Sequence, residues 1–276
     1  MADEHPRIAE RDWRLRAITT LTEEHHSPSG TTYPVGSLVE LVGFVFLPNG
    51  RGLTIPFPDP TAIFLSLAEK ELRKATEYQD TALPSGVNYG NDEENTLKPG
   101  IESGFFDCLQ SIVAAVVFSY TAIEVFANSM IPDDYVFSNP RRDKKCTESY
   151  SKDQIERHIS LDTKLDKLLP DICNVASPKG TKLWVQYVKI KDLRDRLIHL
   201  KSRDWQKSVP ANAKNSIWTR VLSEETRHVP AFAFELIWHY LPAKKPRWAE
   251  RFREIGVTVL EPGTWTDTDF PGRAGP

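Results

Sequence analysis

Cysteine is scarce in this sequence, and its spacing excludes two common ways of stabilising a chain. The 276 residues contain only Cys108, Cys146 and Cys173. Their number is odd and no two have Cys-x-x-Cys spacing, so neither a structural zinc site nor a framework of disulfides is indicated. Unpaired thiols are typical of a reducing compartment, and we therefore expect a cytoplasmic protein.

Long uncharged runs are also missing. The longest, Cys108–Ile123, has 16 residues and is bracketed by Asp107 and Glu124. A helix that spans a bilayer needs about 20 predominantly apolar residues, so this run predicts a central core helix instead. The N-terminus, MADEHPRIAERDW, has no apolar signal region. We expect no membrane as a partner.

An overall excess of positive charge is absent, because the formal net charge is −3. The charge is unevenly distributed, however. Residues 179–207 contain nine Lys or Arg against three Asp, a local net charge of +6 that leaves −9 for the rest of the chain. Such a segment is either a solvated helix face or a surface for an anionic ligand.

Several catalytic motifs are missing as well. The sequence has no Gly-x-Ser-x-Gly elbow and no dinucleotide fingerprint, and residues 177–181 contain the residue types of a phosphate-binding loop in the wrong order. The neighbouring His25 and His26 are a poor pair for a single metal ion and read as loop residues. We expect no metal and no cofactor.

The elements that are present predict a mainly α-helical protein with a small β-containing N-terminal segment. In residues 1–58, an apolar stretch at 38–47 leads through the turn Pro48–Gly50 into a second one, which predicts a short hairpin. Asp59 and Pro60 then form a helix start signal, for a helix ending near Glu77.

A helical domain over residues 59–256 follows this segment, and residues 257–276 predict one short strand and a loose tail. We interpret the helical part as a bundle.

The helix predicted from about Thr181 to Lys201 carries the most informative residues. Its apolar positions recur at steps of three and four and form one stripe: Leu183, Tyr187, Ile190, Leu193, Leu197 and Leu200. At about 100° per residue, His199 lies opposite this stripe and Arg194 flanks it. Asp195 precedes His199 by one turn and shares its face, so it can orient the imidazole.

Arginine and histidine supply two parts of phosphodiester cleavage. Arg194 can stabilise negative charge that develops on phosphorus, and His199 can move a proton near neutral pH. Asp195 can fix the histidine tautomer. The sequence therefore indicates Arg194, Asp195 and His199 as candidate catalytic residues.

The end of this helix contains an arginine, a polar residue directly after it and a histidine five residues after the arginine. This pattern resembles the motif of HEPN ribonuclease domains. Arg194, Asp195 and His199 match those three positions. The upstream helix ending in Thr121-Ala-Ile-Glu-Val-Phe-Ala-Asn128 is also similar to that family. The resemblance covers roughly residues 60–255.

This resemblance implies a HEPN-like helical bundle that dimerises, so that two motifs face each other across a cleft. It implies metal-independent cleavage of RNA by a homodimer. By analogy, it also implies a role in a toxin–antitoxin system or in antiviral defence, with an antitoxin or other regulatory protein as partner.

Further residues are candidates for support of this site. Glu124 either forms a salt bridge that positions Arg194 or is an acid at the edge of the bundle, and Asn128 lies one turn later on the same face. Arg196 is three residues from His199 and can also meet it. The candidate RNA-binding cations are Lys191, Lys201 and Arg203.

The alternative function is a non-catalytic module of the same shape, which binds a protein or a nucleotide through the basic face.

Overall fold

Six short strands form the N-terminal part of the structure. In the computed structural model, which describes residues 8, 10–88, 96–140, 147–204, 216–243 and 245–255, they pair antiparallel as β1 with β4, β2 with β3 and β5 with β6. Their bounds are β1 Ile18–Thr20, β2 His25–His26, β3 Thr32–Tyr33, β4 Leu38–Glu40, β5 Val42–Phe46 and β6 Gly52–Pro56.

The hairpin of β5 and β6 confirms the hairpin predicted from the sequence, and it is unusually apolar on its outside. Gly50 in the connecting turn has a φ of +77°, which glycine adopts without the strain that a Cβ causes. Val42, Phe44 and Phe46 alternate along β5 and so share one face, and Phe44 and Phe46 are 64% and 75% exposed. Their rings contact each other edge to face.

Two long helices follow and pack antiparallel. Helix α1 (Pro60–Ser85) begins where predicted, since the Asp59 carboxylate accepts hydrogen bonds from the backbone N–H groups of Thr61 and Ala62. It runs about two turns beyond the predicted end. After strands β7 (Val87–Asn88) and β8 (Thr96–Leu97), helix α2 (Glu102–Ser129) returns along α1.

A short strand pair and two helical segments lead away from α2. Strands β9 (Phe137–Pro140) and β10 (Thr147–Tyr150) form an antiparallel pair that the sequence analysis missed. Helix α3 (Lys152–His158) follows, and then the continuous helical segment α4, which consists of Leu161–Thr163, a π-helical turn at Lys164–Leu168 and Leu169–Cys173. The π turn ends two residues before Pro170, whose ring would clash with the carbonyl of Asp166 in a regular α-helix.

Helix α5 (Lys182–Ile198) is the motif helix, and five further helical elements complete the described chain. They are a 3₁₀ turn at Ser202–Asp204, α6 (Ile217–Val221) with a following 3₁₀ turn at Glu224–His228, α7 (Val229–Tyr240) and α8 (Arg247–Ile255).

The core lies where α1, α5 and α7 meet α2, and ten residues of α2 are buried. Helix α2 is long and apolar enough to cross a membrane by length and composition alone, and the same properties are typical of a core helix. Its outer face is open, because Phe106 is 56% exposed and lies with Val113, Val117 and Trp218 of α6 along a groove of about 450 Å³.

The fold is thus mainly α-helical, as the sequence predicted, with short two-stranded sheets. The strand and tail predicted for residues 257–276 lie outside the described residues.

Candidate functional site

The apolar stripe fixes the orientation of α5 in the fold. Tyr187, Ile190 and Leu193 are at most 5% exposed, and Leu183, Leu197 and Leu200 pack against the same core. This arrangement confirms the stripe predicted from spacing, and it turns the opposite side of α5 to solvent.

The helix ends three residues earlier than predicted. Ile198 is its last residue, and His199 is the C-cap with non-helical dihedral angles (φ −121°, ψ 56°). The cause is the turn that follows. The Lys201 N–H donates to the Asp204 carboxylate (2.9 Å) and the Asp204 N–H donates to the Lys201 carbonyl (2.8 Å), so Lys201 cannot continue the helical bonding pattern.

His199 therefore projects from the end of α5 rather than from its face. Its side chain is exposed, while Leu197 and Leu200 on either side pack against the core and anchor the chain. The imidazole forms no hydrogen bond or ion pair with any residue in the described parts of the chain. The ring is thus free to meet a ligand.

Arg194 is held from two sides. Its Nη1 donates to Oδ1 of Asp195 at 2.7 Å, and its Cζ lies 4.4 Å from the centroid of the Tyr120 ring on α2. Tyr120 is 6% exposed, and burial raises the pKa of its phenol, which keeps the hydroxyl neutral. The Asp195 carboxylate thus interacts with Arg194 and not with His199, contrary to the predicted contact.

Arg196 belongs to a structural contact. Its Nη2 donates to Oδ1 of Asp204 at 3.0 Å, and the Asp204 side chain is only 4% exposed. Asp204 therefore ties the turn after the motif back to α5, and Arg196 does not reach His199 as the sequence analysis allowed.

Lys191 is also bound to a carboxylate. Its Nζ donates to Oδ2 of Asp162 at 2.6 Å, and the Tyr187 hydroxyl donates to Oδ1 of the same group. Burial opposes ionisation of Asp162, but these two hydrogen bonds and the positive charges of Lys191 and Lys179 together outweigh it and hold the pKa of Asp162 below its usual value. The pair links α5 to α4.

Glu124 and Asn128 support a different residue from the one predicted. Of the two alternatives for Glu124, the salt bridge with Arg194 is not formed, since no ion pair joins these two described residues. Lys164, at the start of the π turn and 2% exposed, donates to Oδ1 of Asn128 (2.8 Å) and to the Glu156 carbonyl (3.1 Å). Burial lowers the pKa of Lys164, and the nearby Glu124 and Glu156 carboxylates partly offset this effect.

Local ion pairs neutralise much of the basic surface predicted for residues 179–207. Besides the pairs of Lys191, Arg194 and Arg196, the contacts are Lys179–Asp166 and Lys189–Glu225. Lys201 differs, because its side chain is exposed and forms no ion pair with a described residue. The side chain of Arg203 lies outside the described residues.

Four contributors to the site were missed by the sequence analysis: Tyr120, Asp162, Lys164 and Asp204. Asp162 and Lys164 were visible only as an acid-x-lysine step on a helix, which is a weak signal. Their partners come from other elements of the chain, and helical periodicity does not report such contacts.

No cluster of three or more metal-ligating side chains occurs in the parts of the chain that the structure describes. Comparisons of the chain with protein-family models, with curated proteins and with solved structures find no match. Any functional inference therefore rests on the chemistry and geometry of the residues themselves.

Proposed function

We propose that this chain is a metal-independent endoribonuclease of HEPN type that acts as a homodimer. The observation that carries the proposal is the end of α5, where the exposed His199 imidazole has no described partner and Arg194 is fixed by Asp195 and Tyr120. In this function the ribose 2′-hydroxyl attacks the adjacent phosphorus and the P–O5′ bond breaks, which leaves a 2′,3′-cyclic phosphate and a 5′-hydroxyl. His199 takes the proton from the attacking 2′-hydroxyl or gives one to the leaving 5′ oxygen, and Arg194 stabilises the charge on the phosphate oxygens.

The remaining candidate residues contribute to this function in different ways. Lys201 contacts RNA phosphates, because it is exposed and unpaired among the described residues. Lys191 and Arg196 keep α5 in place through Asp162 and Asp204, and Asp195 orients Arg194. The open apolar face of α2, where Phe106 is 56% exposed, supports a second copy as partner, because burying such side chains between two copies is favourable.

By analogy with that family, we further propose that the chain forms a HEPN-like helical bundle in the cytoplasm. Its role is that of a toxin or of a protein in antiviral defence, and its partner is an antitoxin or other regulatory protein.

The test is incubation of the protein with a mixed RNA pool, with and without EDTA. Wild type cuts RNA equally well in both conditions and leaves 2′,3′-cyclic phosphate ends. His199→Ala removes the activity by about 10²- to 10⁴-fold while the protein stays folded. Fully 2′-O-methylated RNA is the control, because it lacks the attacking hydroxyl. Cutting of that control, or full activity of His199→Ala, contradicts the proposal.

A non-catalytic binding module is the second candidate, and the ion pairing of α5 favours it. A surface whose cations already have carboxylate partners binds RNA weakly, whereas the apolar face of α2 suits a protein partner. In that case wild type cuts no RNA and His199→Ala changes nothing. The substitution Val113→Lys on the α2 face then abolishes binding of a protein partner. The combined substitutions Arg194→Met and Lys201→Ala abolish binding of a nucleotide.

A further inference from the structure

We propose that Tyr120 is a positioning residue, which holds the Arg194 guanidinium so that its Nε and Nη2 groups face the scissile phosphate. This inference rests on the proposed ribonuclease activity. It assigns a role to a residue on α2 that belongs to no sequence motif of the site.

The first support is the stacking geometry. The Arg194 Cζ lies 4.4 Å from the Tyr120 ring centroid, well inside the distance of about 6 Å at which a guanidinium and an aromatic face attract each other. Tyr120 is 6% exposed and sits in the core, so its ring is a rigid platform. A planar guanidinium favours stacking on an aromatic face, so a ring in this position restrains its tilt.

The second support is the pattern of donors that this arrangement leaves. Nη1 is engaged by Asp195, whereas Nε and Nη2 donate to no described residue. These two nitrogens form one edge of the guanidinium, and that edge matches two oxygens of a phosphate. The Arg194 side chain is 30% exposed, so the edge has access to a ligand.

Ring and carboxylate therefore restrict different motions. Asp195 limits rotation within the guanidinium plane, and Tyr120 limits tilting out of it. Without the ring, Arg194 keeps its charge and still attracts RNA, but it orients the phosphate less well. The loss should therefore fall on kcat more than on KM.

The test compares Tyr120→Phe, which keeps the ring, with Tyr120→Leu and Tyr120→Met, which remove it. Phe126→Leu is the matched control, because it removes another buried ring of α2 that has no contact with Arg194. We expect Tyr120→Phe to keep kcat within about twofold, and the Leu and Met variants to lose about tenfold in kcat with little change in KM. The control should lose stability without loss of kcat.

A second measurement does not depend on activity. The ring current of Tyr120 should shift the Arg194 side-chain resonances upfield in NMR spectra of the full chain. The shift should persist in Tyr120→Phe and vanish in Tyr120→Leu, and Arg194→Lys assigns the signal.

The outcomes separate the two proposals. If wild type shows no ring-current shift, the stacking is absent and the inference fails even where RNA is cut. If the shift is present but Tyr120→Leu cuts RNA as fast as wild type, or Phe126→Leu loses kcat equally, the ring has only a packing role. If wild type cuts no RNA, the proposed function fails and the positioning role with it, while the spectra still report the stack.

Discussion

Arg196 and His199 stand three residues apart at the end of α5, yet their surroundings differ in every respect. Arg196 reaches a carboxylate that is 4% exposed and closes the chain behind the helix, whereas the His199 ring is exposed and has no described partner. The same contrast separates Lys191, bound to Asp162, from Lys201, which is exposed. Charge alone therefore does not identify a binding residue. What distinguishes the cations is whether a carboxylate already satisfies them.

The largest expected effect on stability comes from removing the nearly buried carboxylate of Asp204. Asp204→Ala leaves the Arg196 guanidinium and the Lys201 N–H without their carboxylate partner. Breaking such a nearly buried charged contact costs about 3 kcal/mol, and we expect thermal unfolding to show a Tm lower by about 5 to 10 °C. Asp153→Ala, in an exposed first turn of α3, is the control. An equal Tm for Asp204→Ala and wild type would show that the clamp adds no stability.

The second prediction compares the free and the paired lysine by the salt dependence of RNA binding. Lys201→Ala should lower the slope of log K against log salt by about 1, since one phosphate contact is lost. The doubly changed Lys191→Met and Asp162→Asn protein keeps the same net charge and should keep the wild-type slope. Fluorescence anisotropy with labelled RNA at several salt concentrations measures both. A slope that falls only in the double variant reverses the comparison.

The third prediction concerns pH. The pKa of Asp162 is below its usual value in the folded protein, so its ionised form stabilises the fold at neutral pH. Asp162→Asn should cost about 1 kcal/mol at pH 7, a modest value because the carboxylate is partly screened by solvent. This difference is present above the ordinary pKa of 3.8 and disappears as the pH falls through the lowered value. Thermal melts of wild type and Asp162→Asn between pH 2 and pH 7 measure this difference in stability. A difference that widens in acid contradicts the prediction.

The smallest expected effect on stability comes from removing the exposed His199 side chain. His199→Ala removes no described contact and should change the free energy of unfolding by less than about 0.5 kcal/mol. Urea unfolding followed by circular dichroism measures this. A loss above about 2 kcal/mol would mean that the ring is buried against the protein, and the contrast with Arg196 would not hold.

The sequence predicted those features that depend on neighbours along the chain. The Asp59 cap, the hairpin at Pro48–Gly50 and the apolar stripe of α5 follow from local chemistry and periodicity, and the structure confirms them. The end of α5 was placed too late, because apolar spacing through Leu200 continues past Ile198 while the hydrogen bonds do not.

Partner choice could not be predicted in the same way. A salt bridge between Arg194 and Glu124 from α2 was one of two alternatives for Glu124, but Asp195 and the Tyr120 ring hold Arg194 instead. Lys191 pairs with Asp162, which is 29 residues away in the sequence. Which of several acids meets a cation depends on how helices cross, and that is decided by packing across the whole core rather than by spacing within one helix.

The exposed hairpin of β5 and β6 affects how chaperones recognise the folded chain. It is made of local contacts, so it can close within microseconds. Most proteins then hide such side chains as the remaining chain folds. Here Phe44 and Phe46 stay exposed in the folded protein, beside strand edges that other chains can pair with. Chaperones recognise exposed apolar side chains as a sign of incomplete folding, and this native chain continues to display that sign after its folding is complete.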